Sequence, residues 1–246
     1  MQLPPDFPWF AFILAFVLGG SVKGALGVGL PLVAVPVLSL WIPSPQAIGM
    51  MLVPVLSSNL WQAVDGGRLL QSLKRFRGFM IAQIIATVLT VRMTLALSTS
   101  QLNVLLACVL LLGVAIMAFQ PTLRVSPRHE EIFGTGVGLF SGLLGGVSAL
   151  TGPIVITYLM SLKLERDVFV ASISVIYLSS SLPLYGSMLW FHRIAFTDVA
   201  LSALAMLPMA AGLFLGKLLR QRLAEAAFRK LLLVFLALLA ILLLLK

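Results

Sequence analysis

Charged residues are scarce in this sequence, and their scarcity excludes a soluble domain. They make up 10% of the 246 residues, whereas hydrophobic residues make up 60%. A soluble domain has about 25% charged and about 45–50% apolar residues. Several runs reach the 18 or more apolar residues typical of a membrane helix, and the strict alternation of a transmembrane β-barrel is absent. Composition therefore predicts an all-α polytopic membrane protein.

Cysteine, histidine and catalytic motifs are equally scarce. The single cysteine, Cys108, excludes a disulfide framework and a cysteine metal cluster. The two histidines, His129 and His192, are far apart in sequence, and no HExxH, GxSxG or paired-carboxylate arrangement occurs. We therefore expect no enzyme, no metal site and no cofactor. The net charge of +9 does not indicate nucleic-acid binding, because basic loops are what the positive-inside rule predicts.

Two glycine-rich stretches stand out from the apolar background, at residues 19–38 and 136–153. The first contains Lys23 more than a dozen residues into an uncharged run, together with Pro31 and Pro36. Glycine and proline both weaken a helix interior. We predict that each stretch forms a broken hairpin of two half-length helices, the first with its tip near Lys23–Gly29. A charge at membrane depth is expensive, so Lys23 marks a functional site by hypothesis.

The whole chain is an internal duplication. Segments at about 46–64, 78–97 and 102–119 follow the first glycine-rich block, and segments at about 168–190, 199–219 and 228–245 follow the second. We predict a first repeat at 1–120, a cytoplasmic linker at 121–131 and a second repeat at 132–246. Each repeat would hold one broken hairpin plus three transmembrane helices, and internal duplication is the usual construction of secondary transporters.

Basic loops alternate between the two halves. The loop at 68–77 is strongly basic while its counterpart near 191–198 is nearly neutral, and the turn at 98–101 is uncharged while residues 217–230 are basic. Positive loops stay cytoplasmic. The repeats are therefore predicted to be inverted, with the linker inside and both termini outside.

The two hairpins are predicted to hold a small anion between them. Helix N-termini present unpaired N–H groups and partial positive charge, and glycine lets a backbone approach a ligand closely. Hydroxyl and amide groups inside the spans could add donors. The candidate substrate-binding residues are Lys23, Gly24, Gly27, Gly29, Ser57, Ser58, Asn59, Ser141, Gly142, Gly145, Gly146, Ser148, Thr151, Ser179 and Ser180.

Each of these residues also has a structural interpretation. The glycines could serve close helix packing, and the serines could bond carbonyls of their own helices. Lys23 could extend to an interface, as could Arg92 and Lys217 near span ends. Gln83, in mid-span, could bridge helices. These alternatives stay open on sequence alone.

The two glycine-rich blocks resemble the signature of the sulfite exporter TauE/SafE family, also called the toluene sulfonate uptake permease superfamily. The first copy reads GSVKGALGVG at 20–29, followed by Pro31 and Pro36, and the second reads GLFSGLLGG at 138–146, followed by Pro153. The resemblance covers the whole chain. It implies transport of sulfite, sulfonates, thiosulfate-like or other small organic anions, outward in some members and inward in others.

Direction and coupling are predicted from where the acidic residues lie. All eight fall in termini, loops or span ends of the segment map, so no buried carboxylate is expected to relay protons. We therefore expect a facilitative anion exporter in a bacterial inner membrane, with lipid and a small anion as partners and homodimerisation left open. The alternatives are a proton- or sodium-coupled importer of the same anions and, more remotely, a membrane assembly protein that transports nothing.

Overall fold

The computed structural model describes residues 7–26, 29–65, 68–119, 125–222 and 225–246. These residues form helices joined by turns and short connections, with no strand among them, which confirms the all-α class. A short 3₁₀ turn, Pro127–His129, precedes the eighth α-helix. The α-helices in chain order are α1 (Trp9–Leu26), α2 (Leu30–Ser39), α3 (Ser44–Gly49), α4 (Leu52–Asp65), α5 (Leu69–Arg75), α6 (Arg77–Thr94), α7 (Thr99–Phe119), α8 (Glu130–Ser148), α9 (Gly152–Ser161), α10 (Arg166–Trp190), α11 (Phe196–Leu204), α12 (Met206–Arg222) and α13 (Glu225–Leu244).

Six helical stretches among the described residues are long and apolar enough to cross a membrane. A seventh is counted if α5 and α6, which are bent by 78° relative to each other, form one broken span. The chain is therefore a multi-pass membrane protein, as composition predicts. The six stretches are Trp9–Leu26, Ser44–Val64, Thr99–Phe119, Glu130–Ser148, Val168–Trp190 and Thr197–Leu219.

The prediction of two half-length helices in each hairpin was wrong for the first arm. The first arms, α1 and α8, have 18 and 19 residues, whereas the second arms, α2 and α9, have 10 each. At 1.5 Å per residue, the first arms are about 27–29 Å long, close to the thickness of a bilayer core. Lys23 therefore lies in the last turn of a long helix rather than in the break.

The glycines in these long arms stay helical because neighbouring helices pack closely against them. A Cβ atom at Gly24 would lie 2.4 Å from the carbonyl oxygen of Leu213 on α12. At Gly142 it would lie 2.4 Å from the carbonyl oxygen of Gln83 on α6. Only glycine allows backbones to approach so closely, and tight packing offsets its low helix propensity.

Each glycine-rich helix packs against a helix from the other half of the chain. Helix α1 runs along α12, and α8 runs along α6. Helix α4 packs against α10, and α7 packs against α13. The larger buried apolar cluster surrounds α2, and a smaller one lies among α6, α9 and α10.

The end of the predicted linker belongs to α8. Glu130 and Glu131 form its first turn, where carboxylates are favourable beside the helix N-terminus. Arg75 on α5 donates to both carboxylate oxygens of Glu130, at 2.7 and 3.0 Å. This ion pair ties the two halves together at one end of the molecule.

Candidate functional site

The first helix break is set by glycine and proline. Gly29 has a φ of 100°, a left-handed conformation that favours glycine, and it is the N-cap residue of α2. Pro31 lies in the first turn of α2, where its missing N–H costs nothing. The N-cap makes no side-chain hydrogen bond, so the first N–H groups of α2 are not capped by it.

The second break has the same layout with different residues. Ala149 has a φ of 60° and ends α8, Thr151 precedes α9, and Pro153 lies in its first turn. The Ser148 hydroxyl donates to the Leu144 carbonyl at 2.8 Å and accepts from the Leu150 N–H at 3.1 Å, which holds the turn. Thr151 makes no side-chain cap, so α9 also begins without one.

Both breaks line one cavity, which encloses about 50 Å³. A water molecule needs roughly 10–15 Å³ by the same measure, so the space suits a few waters or one small ion. Helices α4 and α10 supply the remaining walls. The lining residues are Lys23, Gly29, Leu30, Pro31, Leu32, Val55, Asn59, Ala149, Leu150, Thr151, Gly152, Tyr177, Ser180, Ser181, Leu184 and Tyr185.

Lys23 supplies positive charge to this cavity. The residue is 9% exposed, and Nζ donates to the Ser58 hydroxyl at 2.8 Å. The two ion pairs formed among the described residues lie elsewhere, at Arg75–Glu130 and Arg77–Glu131. Within that part of the chain, no carboxylate forms an ion pair with the ammonium group.

Two polar atoms of the cavity walls lack hydrogen-bond partners among the described residues. They are the Asn59 Oδ1 atom and the Tyr177 hydroxyl, both buried. Ser180 also lines the cavity, and no bond from its hydroxyl to a helix carbonyl is formed, unlike Ser179 and Ser181. Buried polar groups normally find partners, so the walls hold hydrogen-bonding capacity that the described residues leave unused.

Sequence reasoning missed Tyr177 and Tyr185, which line the cavity from α10. A signal was present, because the sequence has only three tyrosines and these two fall inside a predicted span. A tyrosine hydroxyl at membrane depth needs a polar partner, so both residues are candidate site residues on the same ground as the serines.

The structure brings five of the predicted residues to the cavity: Lys23, Gly29, Asn59, Thr151 and Ser180. Ser58 is linked to it through Lys23, and a Cβ atom at Gly145 would meet Thr151 and Ser180. Gly27 lies outside the described residues. The remaining predicted residues lie at helix contacts or bond their own helices: Gly24, Ser57, Ser141, Gly142, Gly146, Ser148 and Ser179.

Gln83 bridges helices, which was one interpretation of its position. It is fully buried on α6, donates to Ser141 on α8 at 2.9 Å and accepts from Ser179 on α10 at 2.9 Å. The side chains of Arg92 and Lys217 are exposed, as extension to an interface requires.

Asp198 lies at a span end as predicted, but it is buried. Its carboxylate accepts from the Gln46 amide at 3.0 Å and from the Ala195 N–H at 2.8 Å, which fixes the start of α11. It is not among the residues that line the cavity.

Comparison with known proteins identifies the family. A family model described as "Sulfite exporter TauE/SafE" matches residues 11–243, nearly the whole chain. No curated protein and no solved structure matches the chain significantly. Members of the matched family are transporters rather than enzymes. The chain, with its apolar helices and its duplicated glycine-rich blocks, belongs to the sulfite exporter TauE/SafE family.

Proposed function

We propose that the cavity between the two helix breaks binds a small sulfur-containing or organic anion during transport. One observation carries the proposal: the N-terminal ends of α2 and α9 line the same cavity as Lys23, whose charge no described carboxylate pairs. Half-helix N-termini that point at an anion near mid-membrane are a recurring design of secondary transporters.

The electrostatics of the cavity favour an anion over a neutral or cationic solute. Each uncapped helix N-terminus carries about half a positive charge and stabilises an adjacent anion by about 0.3–2 kcal/mol. Lys23 adds a full charge, and a hydrogen bond to a charged group contributes about 1.5–3 kcal/mol. A buried charge is expensive when it is unpaired, so a bound anion would also lower the cost of burying Lys23.

Each polar group has a distinct role in this proposal. Ser58 holds the Lys23 ammonium at the cavity wall through the 2.8 Å hydrogen bond. The Tyr177 hydroxyl donates from α10 to an oxygen of the anion, Ser180 adds a second hydroxyl, and Asn59 contributes from α4 through its Nδ2 group, because its Oδ1 atom only accepts hydrogen bonds. Since sulfite, sulfoacetate and taurine-derived anions all present such oxygens, these groups recognise the anionic head and leave the rest of the substrate unspecified.

The proposed direction is outward and driven by voltage. The buried carboxylate that the structure describes, Asp198, is held by neutral donors away from the cavity lining. A monoanion that leaves a negative interior gains about 2.3 kcal/mol per 100 mV. Export therefore needs no coupling ion, whereas accumulation would need one.

The proposed architecture is a pair of inverted repeats in a bacterial inner membrane. Reciprocal packing supports it, since the contact of α1 with α12 is matched by that of α8 with α6 when the halves are exchanged. The contacts of α13 with α2 and of α7 with α9 match in the same way. A two-fold relation between the halves would produce both matches.

Equilibrium binding to purified protein tests the site. Calorimetry with sulfite as the probe should show at least a tenfold loss of affinity for Lys23→Ala. Lys23→Arg should restore affinity only in part, because a planar guanidinium does not replace a compact ammonium in a tight cavity. The control is Arg92→Ala, which removes an exposed cation from another helix. Equal affinity of Lys23→Ala and the wild type for sulfite would show that Lys23 does not take part in binding the anion.

A further inference from the structure

Close glycine packing and side-chain hydrogen bonds divide most helices into two groups that do not follow the sequence repeats. We name bundle I as α1–α4 with α11 and α12, and bundle II as α5, α6 and α8–α10. Each bundle combines helices from both halves of the chain. Helices α7 and α13 pack against each other and against members of the bundles.

Backbone contacts at glycine hold each bundle together. In bundle I, Cβ atoms at Gly20 and Gly212 would lie 2.5 and 2.3 Å from carbonyl oxygens of the facing helix. In bundle II, a Cβ atom at Gly138 would lie 2.2 Å from the Phe79 carbonyl oxygen. Backbones this close cannot slide past each other without collision, because packed interiors are not continuously deformable.

Polar side chains also bond within the bundles. In bundle I, Ser58 accepts from Lys23 across α4 and α1, and Ser202 accepts from the Val53 N–H across α11 and α4, both at 2.8 Å. In bundle II, Gln83 joins α6, α8 and α10. The Ser72 and Ser172 hydroxyls lie 3.2 Å apart across α5 and α10.

The two bundles contact each other mainly through α4 and α10, which pack along an extensive interface. Among the described residues, the one hydrogen bond that joins a helix of bundle I directly to a helix of bundle II is Ser174 to Gln62, at 3.3 Å. The cavity lies on this seam. Bundle I contributes Lys23, Leu30 and Asn59 to its walls, and bundle II contributes Thr151 and Tyr177.

We infer that the two bundles, and not the two sequence repeats, are the rigid bodies that move during transport. A hinge or rocking motion along α4 and α10 opens the cavity by separating apolar side chains of the shared core and breaking the Ser174–Gln62 hydrogen bond, while the glycine-packed helix pairs stay intact. A motion of one repeat against the other would instead tear apart both glycine-packed helix pairs. The inference rests on the proposed function, since it describes how the same cavity changes the side from which it is accessible.

Cross-linking of two matched cysteine pairs tests the inference. Both pairs share α10 and are built in a Cys108→Ser background, since Cys108 is exposed. The first pair, Ser72→Cys with Ser172→Cys, lies within bundle II. The second, Gln62→Cys with Ser174→Cys, spans the seam. Because these serines are buried, each pair is linked with dibromobimane, a small membrane-permeant reagent whose thioether bonds sulfite does not cleave. The linked fraction is measured by mass spectrometry, and sulfite flux is measured in liposomes before and after linking.

Linking the first pair should leave flux within twofold of the unlinked protein. Linking the second should reduce the flux of the linked fraction at least tenfold, so that total flux falls in proportion to the fraction of protein that is linked. Flux through the linked seam pair, or loss of flux on linking the first pair, would overturn the inference.

A distance measurement separates this inference from the proposed function. If neither the wild type nor the Cys108→Ser parent carries sulfite, the proposed function fails for sulfite, and the bundles are then followed by spin labels at exposed positions. A pair of labels at Met93 and Phe214 measures a distance between the two bundles, and a pair at Met93 and Val170 measures a distance within bundle II. The first pair should show two populations or a broad distribution in lipid, and the second a single narrow one. Equal spread for both pairs would contradict the bundles as rigid bodies.

Discussion

Two tyrosines on neighbouring helices differ in their hydrogen bonds, and the difference gives a residue-scale prediction. The Tyr158 hydroxyl on α9 donates to the Glu130 carbonyl at 3.3 Å, whereas the Tyr177 hydroxyl on α10 has no partner among the described residues. Tyr177→Phe should therefore leave the melting temperature unchanged or raise it, because an unsatisfied buried hydroxyl costs about 1–3 kcal/mol. Its affinity for sulfite should fall about fivefold to tenfold.

The control for this prediction is Tyr158→Phe, which should show the reverse pattern. Loss of its hydrogen bond should lower stability by about 0.5–1.5 kcal/mol and leave anion affinity unchanged. Both variants are compared by thermal unfolding in detergent and by calorimetry. If the Tyr177→Phe protein is destabilised but binds sulfite normally, the Tyr177 hydroxyl has a structural role and does not bind the anion.

At the same scale, the sequence predicted the charged group of the cavity better than its neutral groups. Lys23 was identifiable because an isolated charge in an apolar run is expensive wherever it lies. Hydroxyls carry no such signal, since a serine can bond its own helix at little cost. Ser57 and Ser179 do so, while Ser180 one residue further does not. The rotation of each helix about its axis decides which serines face the cavity, and this rotation depends on tertiary packing.

Two glycines of α8 give the first prediction at the scale of elements. A Cβ atom at Gly142 would collide with the Gln83 carbonyl oxygen at 2.4 Å, whereas one at Gly136 would meet nothing within 4 Å. Gly142→Ala should destabilise the protein by about 1–3 kcal/mol, because overpacking forces α6 and α8 apart. Gly136→Ala should be neutral or stabilising by up to about 1 kcal/mol, because alanine is the better helix former. Scanning fluorimetry in detergent compares them, and equal melting temperatures would contradict close packing of these helices.

The two helix breaks give a second prediction at this scale. Gly29 has a φ of 100° and Ala149 a φ of 60°, so both occupy conformations that favour glycine. Gly29→Ala should cost about 1–2 kcal/mol in unfolding free energy, as left-handed backbone does for other residues. Ala149→Gly should cost little or should stabilise, because it relieves the same strain at the second break. The measurement is again thermal unfolding, and stabilisation by Gly29→Ala would show that the first break is not built as described.

Element boundaries show why the sequence predicted the breaks but not the lengths of their arms. Proline and glycine at 29–31 and 151–153 are local signals, so the position at which each short helix begins could be predicted. The long arms α1 and α8 keep Gly20, Gly24, Gly138 and Gly142 helical only because a helix from the other half packs against them. That contact is non-local, so propensity alone predicted a shorter arm.

The orientation of the whole molecule is predicted from its basic loops and tested by labelling. Single cysteines at Lys74 and at His192, both exposed, are introduced into the Cys108→Ser background. Residue 74 should be labelled from the cytoplasmic side and residue 192 from the opposite side by an impermeant maleimide. Labelling of both from one side would contradict the inverted repeats. Ser72 is unsuitable for this test because it is buried.

Sulfite efflux from liposomes under a potassium diffusion potential tests the central claim most directly. The wild type, Lys23→Ala and Arg92→Ala are reconstituted at equal density and loaded with sulfite, without a proton or sodium gradient. The account predicts that efflux through the wild type and Arg92→Ala accelerates when the lumen is made negative, and that Lys23→Ala falls to the rate of protein-free liposomes. Equal efflux through Lys23→Ala and the wild type, or efflux that ignores voltage and requires a proton gradient, would contradict it.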